Sequence, residues 1–329
     1  MPAGATIFGG VAGTVLTAAE RDFFRAADPW GFILFGRNIE SPDQVRALCA
    51  DLREAVGREA LITIDQEGGR VQRLRPPHWR QWPAPLAGAA DGPRAVWLRH
   101  RLMGAELRDL GIDGDCAPCL DIAGPRTHPF LHDRCFGTDP ATVARLGRTA
   151  AEGLLAAGVV PCIKHMPGHG RARADSHKEL PEVGEGLDAL TDWDFAPFRA
   201  LADMPMGMTC HIRFSALDPR PATASSRMIG LIRDEIGFRG LLTTDDITME
   251  ALPGSHAERA GAAIAAGCDV VMHCNQDVAC METVAAAAGA LTPAALVRAE
   301  TTLAARRQPD AANLDALAAE LAAISGACR

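Results

Sequence analysis

Eight short apolar runs, each followed by a segment with helical spacing, recur along nearly the whole 329-residue chain. Strands of a parallel sheet that is covered on both faces read as continuous apolar runs, because neither face meets water. Eight strand-helix units within about 280 residues therefore predict a (β/α)8 barrel, the TIM-type α/β fold. The runs are Ala5 to Phe8, Gly31 to Phe35, Ala60 to Asp65, Gly114 to Ile122, Val159 to His165, Met206 to His211, Gly240 to Asp245 and Cys268 to Cys274.

Helix signals between these runs agree with the barrel. Thr17 with Glu20 matches a capping box, and Ser41 with Gln44 repeats the pattern. Further helical spacing covers Arg94 to Leu110, Ala141 to Ala157, Ser226 to Ile236 and Ser255 to Ala266. The alanine-rich stretch from about 292 to 325 predicts two helices that pack on the barrel. No composition break marks a second domain, so we expect residues 1–329 to form one barrel domain.

The charge distribution limits the partners of this chain. The formal net charge is -8 and no basic block is present, which argues against nucleic acid or an anionic membrane as the main partner. The N-terminus lacks the charged start and apolar run of a secretory signal, and no apolar stretch is long enough to span a bilayer. We expect a cytoplasmic monomer that acts on a small molecule.

Lysine is confined to one segment. Lys164 and Lys178 are the only lysines among 33 basic residues, and three of the ten histidines lie between them together with Asp175. A lysine in an arginine-dominated chain suggests that a compact point charge is needed there. The connection from His165 to the next predicted helix, near Leu187, is longer than ordinary loops, which is typical of functional segments.

Polar residues follow six of the eight apolar runs. In a barrel of this type, chemistry belongs at the carboxyl ends of the strands, so these residues predict one shared site. They are Asp65 to Arg70 with Arg73, Asp121, Lys164 with His165, His211, Asp245 with Asp246, and His273 to Asn275.

Two groups of polar residues, one at a strand end and one in the long loop after His165, have chemistry that suits hydrolysis of an acetal. Asp245 at a strand end could act as a nucleophile, whereas Asp246 or Thr248 could instead cap the next helix. Asp175 and His177 could form a dyad in which the carboxylate orients the imidazole for proton transfer. By spacing alone, that pair would be read as ordinary loop residues.

Four motifs together resemble those of glycoside hydrolase family 3, and within it the single-domain bacterial β-N-acetylglucosaminidases of peptidoglycan recycling. The resemblance runs from about residue 5 to about residue 275. The motifs are Asp65-Gln-Glu-Gly-Gly-Arg-Val-Gln-Arg73, Lys164-His165-Met-Pro-Gly-His169-Gly, Asp175-Ser-His177 and Thr244-Asp245-Asp246-Ile-Thr-Met.

The resemblance implies a retaining, two-step mechanism without metal or cofactor. It implies that Asp245 is the nucleophile and that His177, supported by Asp175, is the general acid/base. It also implies a muropeptide sugar as substrate, with terminal N-acetylglucosamine removed. The residues that would bind the hydroxyls of that sugar are Asp65, Arg73, Arg134, Lys164 and His165.

Three other interpretations remain open at this point. His165, His169, Asp175 and His177 could bind zinc or iron in a metallohydrolase barrel. A sugar-binding module without catalysis is a second alternative, against which the retained Asp245 and His177 argue. A third is a family 3 enzyme of other specificity, or one that uses phosphate instead of water as the acceptor.

Overall fold

Eight parallel strands close into a barrel in the order of the chain, with the last strand paired to the first. The computed structural model describes residues 3–327. The predicted TIM-type barrel is therefore confirmed. Its strands are β1 Gly4–Phe8, β2 Pro29–Leu34, β3 Leu61–Ile64, β4 Gly114–Asp115, β5 Val160–Met166, β6 Met206–Thr209, β7 Leu241–Asp246 and β8 Val270–His273.

Helices surround the barrel, and most follow the strand before them as the sequence predicts. Two short helical turns, Gly36–Asn38 and Ala222–Ala224, lie in loops. The helices are α1 Ala18–Ala27, α2 Pro42–Val56, α3 Pro85–Ala89, α4 Gly92–Asp109, α5 Pro129–His132, α6 Pro140–Ala156, α7 Leu187–Asp192, α8 Ala196–Ala200, α9 Ser226–Asp234, α10 His256–Ala266, α11 Val278–Ala288, α12 Pro293–Ala304 and α13 Leu314–Ala327. None of the helices in the described part is both long and apolar enough for a membrane span.

The fourth strand is much shorter than the predicted run from Gly114 to Ile122. Only Gly114–Asp115 pair as a strand; beyond them the Cys162 N–H of β5 donates to the Ala117 carbonyl, and an isolated bridge joins Cys119 to Lys164. Pro118 lies between the two and has no N–H to donate to a ladder. The prediction was wrong in extent, because the apolar run continues along the barrel wall as irregular chain.

The predicted capping box forms fully at α1 and only in part at α2. The Thr17 hydroxyl accepts from the Glu20 N–H and the Glu20 carboxylate accepts from the Thr17 N–H, which completes the capping box. At α2 the Ser41 hydroxyl accepts from the Gln44 N–H, but the Gln44 side chain accepts from the N–H of Glu40. Ser41 is therefore an N-cap without the reciprocal bond.

Aromatic side chains pack α1 against the barrel. The Phe24 ring lies 5.1 Å from the Phe32 ring of β2 and 6.3 Å from the Phe8 ring of β1. All three side chains are fully buried. Burial of each contributes roughly 1.5–3 kcal/mol, so this cluster fixes the helix over the first two strands.

The alanine-rich C-terminal stretch forms two helices, as predicted. Just past α12, Arg306 binds the Asp113 carboxylate before β4 with a separation of 2.7 Å. Leu317 and Leu321 of α13 pack against Trp82 and neighbouring residues of α4. Both helices therefore lie against the outside of the barrel.

Candidate active site

A polar cavity of about 360 Å³ opens at the carboxyl ends of the strands. The apolar rings of Phe35 and Phe130 form part of its wall. The chain contains no tyrosine, so these two phenylalanines are the apolar aromatic rings that line the cavity within residues 3–327. Seven of the eight predicted site residues line the cavity, namely Asp65, Arg73, Arg134, Lys164, His165, His177 and Asp245.

Lys164 binds two carboxylates at the base of this cavity. Its Nζ lies 2.9 Å from an Asp65 oxygen and 2.7 Å from a Glu67 oxygen, and its side chain is 2% exposed. Burial alone would lower the pKa of this lysine, but Asp65 and Glu67 outweigh it and raise the pKa well above its usual value. An ammonium group can bind two carboxylates in so narrow a space because it is compact.

Glu67 balances the buried positive charges. Burial raises the pKa of its carboxyl, but Arg134 and Lys164 more than offset this and lower the pKa to about 2. The pKa of Asp65 is likewise held below its usual range, since Lys164 and Arg73 together outweigh the effect of burial. Both carboxylates are therefore ionised at neutral pH.

A tight hairpin presents Asp65 and Arg73 to the cavity. Its two short strands, Gln66–Gly68 and Val71–Gln72, are antiparallel. Gly68, at the turn, has a φ of 99°, and a Cβ there would lie 2.4 Å from the Pro83 carbonyl oxygen. After the turn, Arg73 Nη2 donates to the second oxygen of Asp65 over 3.0 Å. The hairpin thus fixes both side chains relative to each other.

Asp121 orients the histidine of β5. One of its oxygens lies 2.7 Å from His165 Nδ1, and the other accepts from the backbone N–H of His169 over 2.6 Å. A carboxylate only accepts, so the His165 Nδ1 carries the hydrogen and Nε2 faces Arg134 at 3.4 Å. Burial opposes ionisation of Asp121, but its interactions with His165 and His169 outweigh this and lower the pKa of its carboxyl to about 2.

Asp175 and His177 form the dyad that was expected only through the resemblance. Asp175 Oδ1 lies 2.7 Å from His177 Nδ1 and also accepts from the His177 backbone N–H over 3.1 Å. Burial would raise the pKa of Asp175, but its hydrogen bonds to His177 outweigh this and lower it. His177 is 61% exposed at the cavity mouth, and its Nε2 is hydrogen-bonded to no described residue.

The two neighbouring carboxylates at the end of β7 are in different environments. Asp246 accepts from the Thr248 hydroxyl at 2.6 Å, from the Thr248 N–H at 3.0 Å and from the Cys274 N–H at 3.2 Å. Within residues 3–327, Asp245 accepts only from the Asp246 N–H at 2.8 Å, and it lines the cavity. Asp246 therefore caps a turn, whereas Asp245 has oxygen lone pairs left to react.

Neighbouring groups keep Asp245 ionised despite its burial. Its burial favours the neutral acid, but the neighbouring His165 and His211, with the N–H of Asp246, lower the pKa of the carboxyl overall. An ionised, sparsely hydrogen-bonded carboxylate is the form that nucleophilic attack requires.

The four residues of the metallohydrolase alternative do not converge on one point. His165 binds Asp121, His169 Nε2 lies 3.2 Å from the Ser176 hydroxyl, and His177 binds Asp175. Within residues 3–327 the side chains whose ligand atoms do converge form two other trios: Cys119 with Asp121 and His165, and His256 with His273 and Cys280.

Comparison with known proteins places this cavity in a family. Residues 20–306 match the model of the glycosyl hydrolase family 3 N-terminal domain. The chain belongs to glycosyl hydrolase family 3. This family 3 member is therefore a glycoside hydrolase, and the barrel and its polar cavity are those of an enzyme.

Relatives in the family carry more specific names. A β-hexosaminidase of Pseudomonas aeruginosa (strain UCBPP-PA14) is 40% identical over 272 residues, 80% of this chain and 81% of that protein. A β-hexosaminidase of Xanthomonas campestris (strain B100) is 38% identical over 299 residues, 88% of this chain and 90% of that protein.

Solved structures of the family superpose over nearly the whole chain. NagZ from Neisseria gonorrhoeae in complex with N-trifluoroacetyl-D-glucosamine has a TM-score of 0.85 at 29% identity, and the match covers 99% of each chain. A family 3 β-N-acetylglucosaminidase from Paenibacillus has a TM-score of 0.86 at 31% identity, covering 98% of this chain and 67% of that one.

Two buried acids at the strand ends, Glu67 and Asp121, were predicted to lie at the shared site but were assigned no role there. Glu67 joins Arg134 to Lys164, and Asp121 orients His165. The sequence contained a signal for each, since Glu67 stands in the same motif as Asp65 and Asp121 follows an apolar run. Their partners are distant in the chain, so only the fold reveals the pairing.

Proposed function

We propose that this protein is a retaining exo-β-N-acetylglucosaminidase that removes terminal N-acetylglucosamine from peptidoglycan-derived muropeptides such as N-acetylglucosaminyl-1,6-anhydro-N-acetylmuramic acid. The observation that carries the proposal is the opening of the Asp245 carboxylate and the His177–Asp175 dyad onto one polar cavity. The names of its relatives, β-hexosaminidases and a β-N-acetylglucosaminidase, support the same sugar.

In the first step, an Asp245 oxygen attacks the anomeric carbon and the bond to the leaving oxygen breaks. His177 Nε2–H donates its proton to that oxygen, so the leaving group departs as a neutral alcohol. Asp175 holds Nδ1–H and stabilises the imidazole orientation in which Nε2 faces the cavity. The product is a glycosyl ester of Asp245 with inverted configuration.

In the second step, water attacks the anomeric carbon of that ester. The imidazole, left neutral at Nε2 after the first step, takes a proton from the water, and the Asp245 carboxylate leaves. The second inversion restores the original configuration, which makes the overall reaction retaining. A histidine in this role differs from the usual pair of carboxylates, but an imidazole can both donate and accept a proton near neutral pH.

The charged base of the cavity suits a sugar with several hydroxyls. Asp65, an ionised acceptor, is flanked by the donors Lys164 and Arg73, so neighbouring hydroxyls can donate to the carboxylate and accept from the cations. Arg134 and His165 lie at the adjoining wall and extend the set. These residues would bind the non-reducing sugar and place its anomeric carbon near Asp245.

The proposal is tested by comparing nitrophenyl β-N-acetylglucosaminide with nitrophenyl β-glucoside, and then by using the anhydro disaccharide. We expect the acetylated substrate to be strongly preferred and the disaccharide to release β-N-acetylglucosamine, detected by NMR before mutarotation. Release of the α-anomer would contradict double displacement. A rate that depends on added phosphate, with a sugar phosphate as product, would favour the phosphorylase alternative.

The nucleophile is assigned independently by trapping. A slow fluorinated N-acetylglucosamine analogue should leave a covalent label, which peptide mass spectrometry should locate on Asp245. A label on Asp246 would overturn the assignment. Such a result is not expected, because Thr248 and the Cys274 N–H already occupy the Asp246 oxygens.

A further inference from the structure

A trio of side chains outside the sugar cavity brings three metal-binding atoms together. His273 is the last residue of β8, His256 is the first of α10, and Cys280 lies in the first turn of α11. The His256 Nδ1 lies 3.1 Å from His273 Nε2 and 3.1 Å from Cys280 Sγ, and the third side of the triangle is 3.7 Å. None of the three side chains lines the cavity.

The dimensions of this triangle match one face of a zinc tetrahedron. With Zn–N bonds of 2.0–2.1 Å and Zn–S bonds of 2.3 Å, tetrahedral geometry puts two nitrogens roughly 3.3 Å apart and nitrogen and sulfur roughly 3.6 Å apart. The three observed separations lie within about half an ångström of these values. A single ion could therefore bind all three atoms with small side-chain adjustments.

Hydrogen bonding alone satisfies the trio poorly. A ring nitrogen has either one hydrogen or one lone pair in the ring plane, so His256 Nδ1 can serve only one of its two neighbours at 3.1 Å well. A cation at the centre would instead accept a lone pair from each atom. His273 is fully buried and its ring packs edge-on against Phe8 at 5.9 Å, which holds its Nε2 toward the other two.

The second trio, Cys119 with Asp121 and His165, differs in this respect. Its carboxylate already accepts from the His165 Nδ1 at 2.7 Å and from a backbone N–H at 2.6 Å. A metal there would have to displace the hydrogen bond that orients His165. The trio at the end of β8 has no such competing partner on its ligand atoms within residues 3–327.

We propose that His256, His273 and Cys280 bind one Zn²⁺ ion, with water in the fourth position. A thiolate with two imidazoles is a donor set that suits Zn²⁺ and excludes Mg²⁺ and Ca²⁺, which prefer oxygen. On binding, Cys280 releases its thiol proton to solvent and both imidazoles coordinate as neutral ligands. The ion joins α10 and α11 to β8 and so braces this side of the barrel.

The proposed zinc site lies one residue from the candidate active site. Cys274 follows His273 and donates its N–H to the Asp246 carboxylate over 3.2 Å. Asp246 in turn donates its N–H to Asp245. Zinc would therefore stabilise the rim that holds the nucleophile without contacting the sugar.

Cobalt is the most direct probe, because Co²⁺ occupies zinc sites and its thiolate complexes absorb in the near ultraviolet. Metal-stripped, reduced full-length protein is titrated with Co²⁺ and then with Zn²⁺. We expect a thiolate-to-cobalt band that saturates at one equivalent, tetrahedral visible bands, and loss of both when one equivalent of Zn²⁺ is added. A correctly folded protein without the thiolate band would overturn the proposal.

Variants assign the band to this trio. Cys280→Ala should abolish it and His256→Ala should weaken Zn²⁺ binding by at least about 100-fold, since each removes one of three protein ligands. Cys119→Ala, in the other trio, and His177→Ala, in the dyad, should both retain the band. Its retention in Cys280→Ala, or its loss in Cys119→Ala alone, would contradict the assignment.

A stability measurement provides a second readout. Zn²⁺ should raise the Tm of the wild type and of His78→Ala, whose histidine is exposed, but not the Tm of Cys280→Ala. Equal shifts in the wild type and in Cys280→Ala would mean that the ion acts elsewhere. Neither experiment uses a sugar, so its outcome is independent of the proposed glycosidase activity.

Discussion

The Arg134 guanidinium binds the Glu67 carboxylate through two hydrogen bonds, Nε to Oε2 at 2.9 Å and Nη2 to Oε1 at 2.7 Å. The Glu67 side chain is 1% exposed and also pairs with the Lys164 ammonium group, so one carboxylate offsets two buried cations beneath the polar cavity. Removing one partner of a buried ion pair is costly, because the charge left behind is neither solvated nor paired.

We expect Glu67→Gln to lower the free energy of unfolding by about 3–5 kcal/mol. An amide cannot neutralise Arg134 and Lys164, although it keeps the size of the side chain. Urea denaturation measures the loss. Glu54→Gln is the matched control, because Glu54 pairs with Arg21 at the surface with 75% of its side chain exposed, and the change should be below about 1 kcal/mol.

The same carboxylate predicts a pH dependence of stability. Its pKa is lowered in the fold from an ordinary value of 4.5 to about 2. A lowered pKa contributes stability that is complete above the unfolded value and is lost as pH falls toward the folded value. The free energy of unfolding should therefore fall between pH 4.5 and about 2, and less steeply in Glu67→Gln. Parallel slopes in the two proteins would show that Glu67 does not contribute.

The two lysines of the chain give a matched pair of substitutions. Lys164→Arg introduces a larger planar group between Asp65 and Glu67, where the side chain is only 2% exposed. We expect a loss of about 1–3 kcal/mol in stability from overpacking. Displacement of Asp65 should also lower kcat/KM for the nitrophenyl substrate by ~10²-fold.

Lys178→Arg is the control for that experiment. Lys178 is exposed in the loop that follows β5, so arginine should fit there and both stability and kcat/KM should stay close to those of the wild type. Equal tolerance of arginine at both positions would show that the compact ammonium group is not required at Lys164.

The sequence predicted the rim of the barrel well for a simple physical reason. Parallel strands end at the same edge, so Asp65, Lys164 and Asp245 could be assigned to one site from the ends of three apolar runs. The pairings within the site depend on tertiary register instead. Glu67 and Arg134 are 67 residues apart, and no local pattern links them.

The pair formed by Asp175 and His177 was harder to predict from the sequence. Asp175 and His177 are two residues apart, but their spacing is equally typical of a surface loop. Only the resemblance to family 3 singled them out before the structure showed the 2.7 Å contact between them. The β4 prediction was wrong for a related reason, since apolar composition does not reveal where Pro118 interrupts a ladder.

Gly170 should be essential for the position of the loop that carries the dyad. A Cβ at this residue would lie 2.2 Å from the Ile122 carbonyl oxygen, so Gly170→Ala must shift one of the two backbones. We expect a loss of about 1–3 kcal/mol in stability. Turnover of the disaccharide should fall further, because His177 would be displaced.

Gly186→Ala is the control, because it lies near the end of the same loop and a Cβ there has no neighbour within 4 Å. Thermal unfolding and disaccharide turnover should both be close to wild type in this variant. If Gly170→Ala behaves in the same way, the close approach to Ile122 does not position the loop.

The loss of rate in His177→Ala should be larger for a leaving group that needs a proton than for one that does not. If it is the acid of the first step, His177→Ala should slow glycosylation by the anhydro disaccharide by ~10²- to 10⁴-fold. A nitrophenol departs without a proton, so glycosylation by that substrate should be much less affected. Asp175→Ala should give a milder form of the same pattern, because the imidazole remains but loses the carboxylate that holds Nδ1 at 2.7 Å.

Pre-steady-state release of nitrophenol isolates the first step, and product release from the disaccharide gives the comparison. Equal losses on both substrates in that step would mean that His177 only binds sugar and is not the general acid.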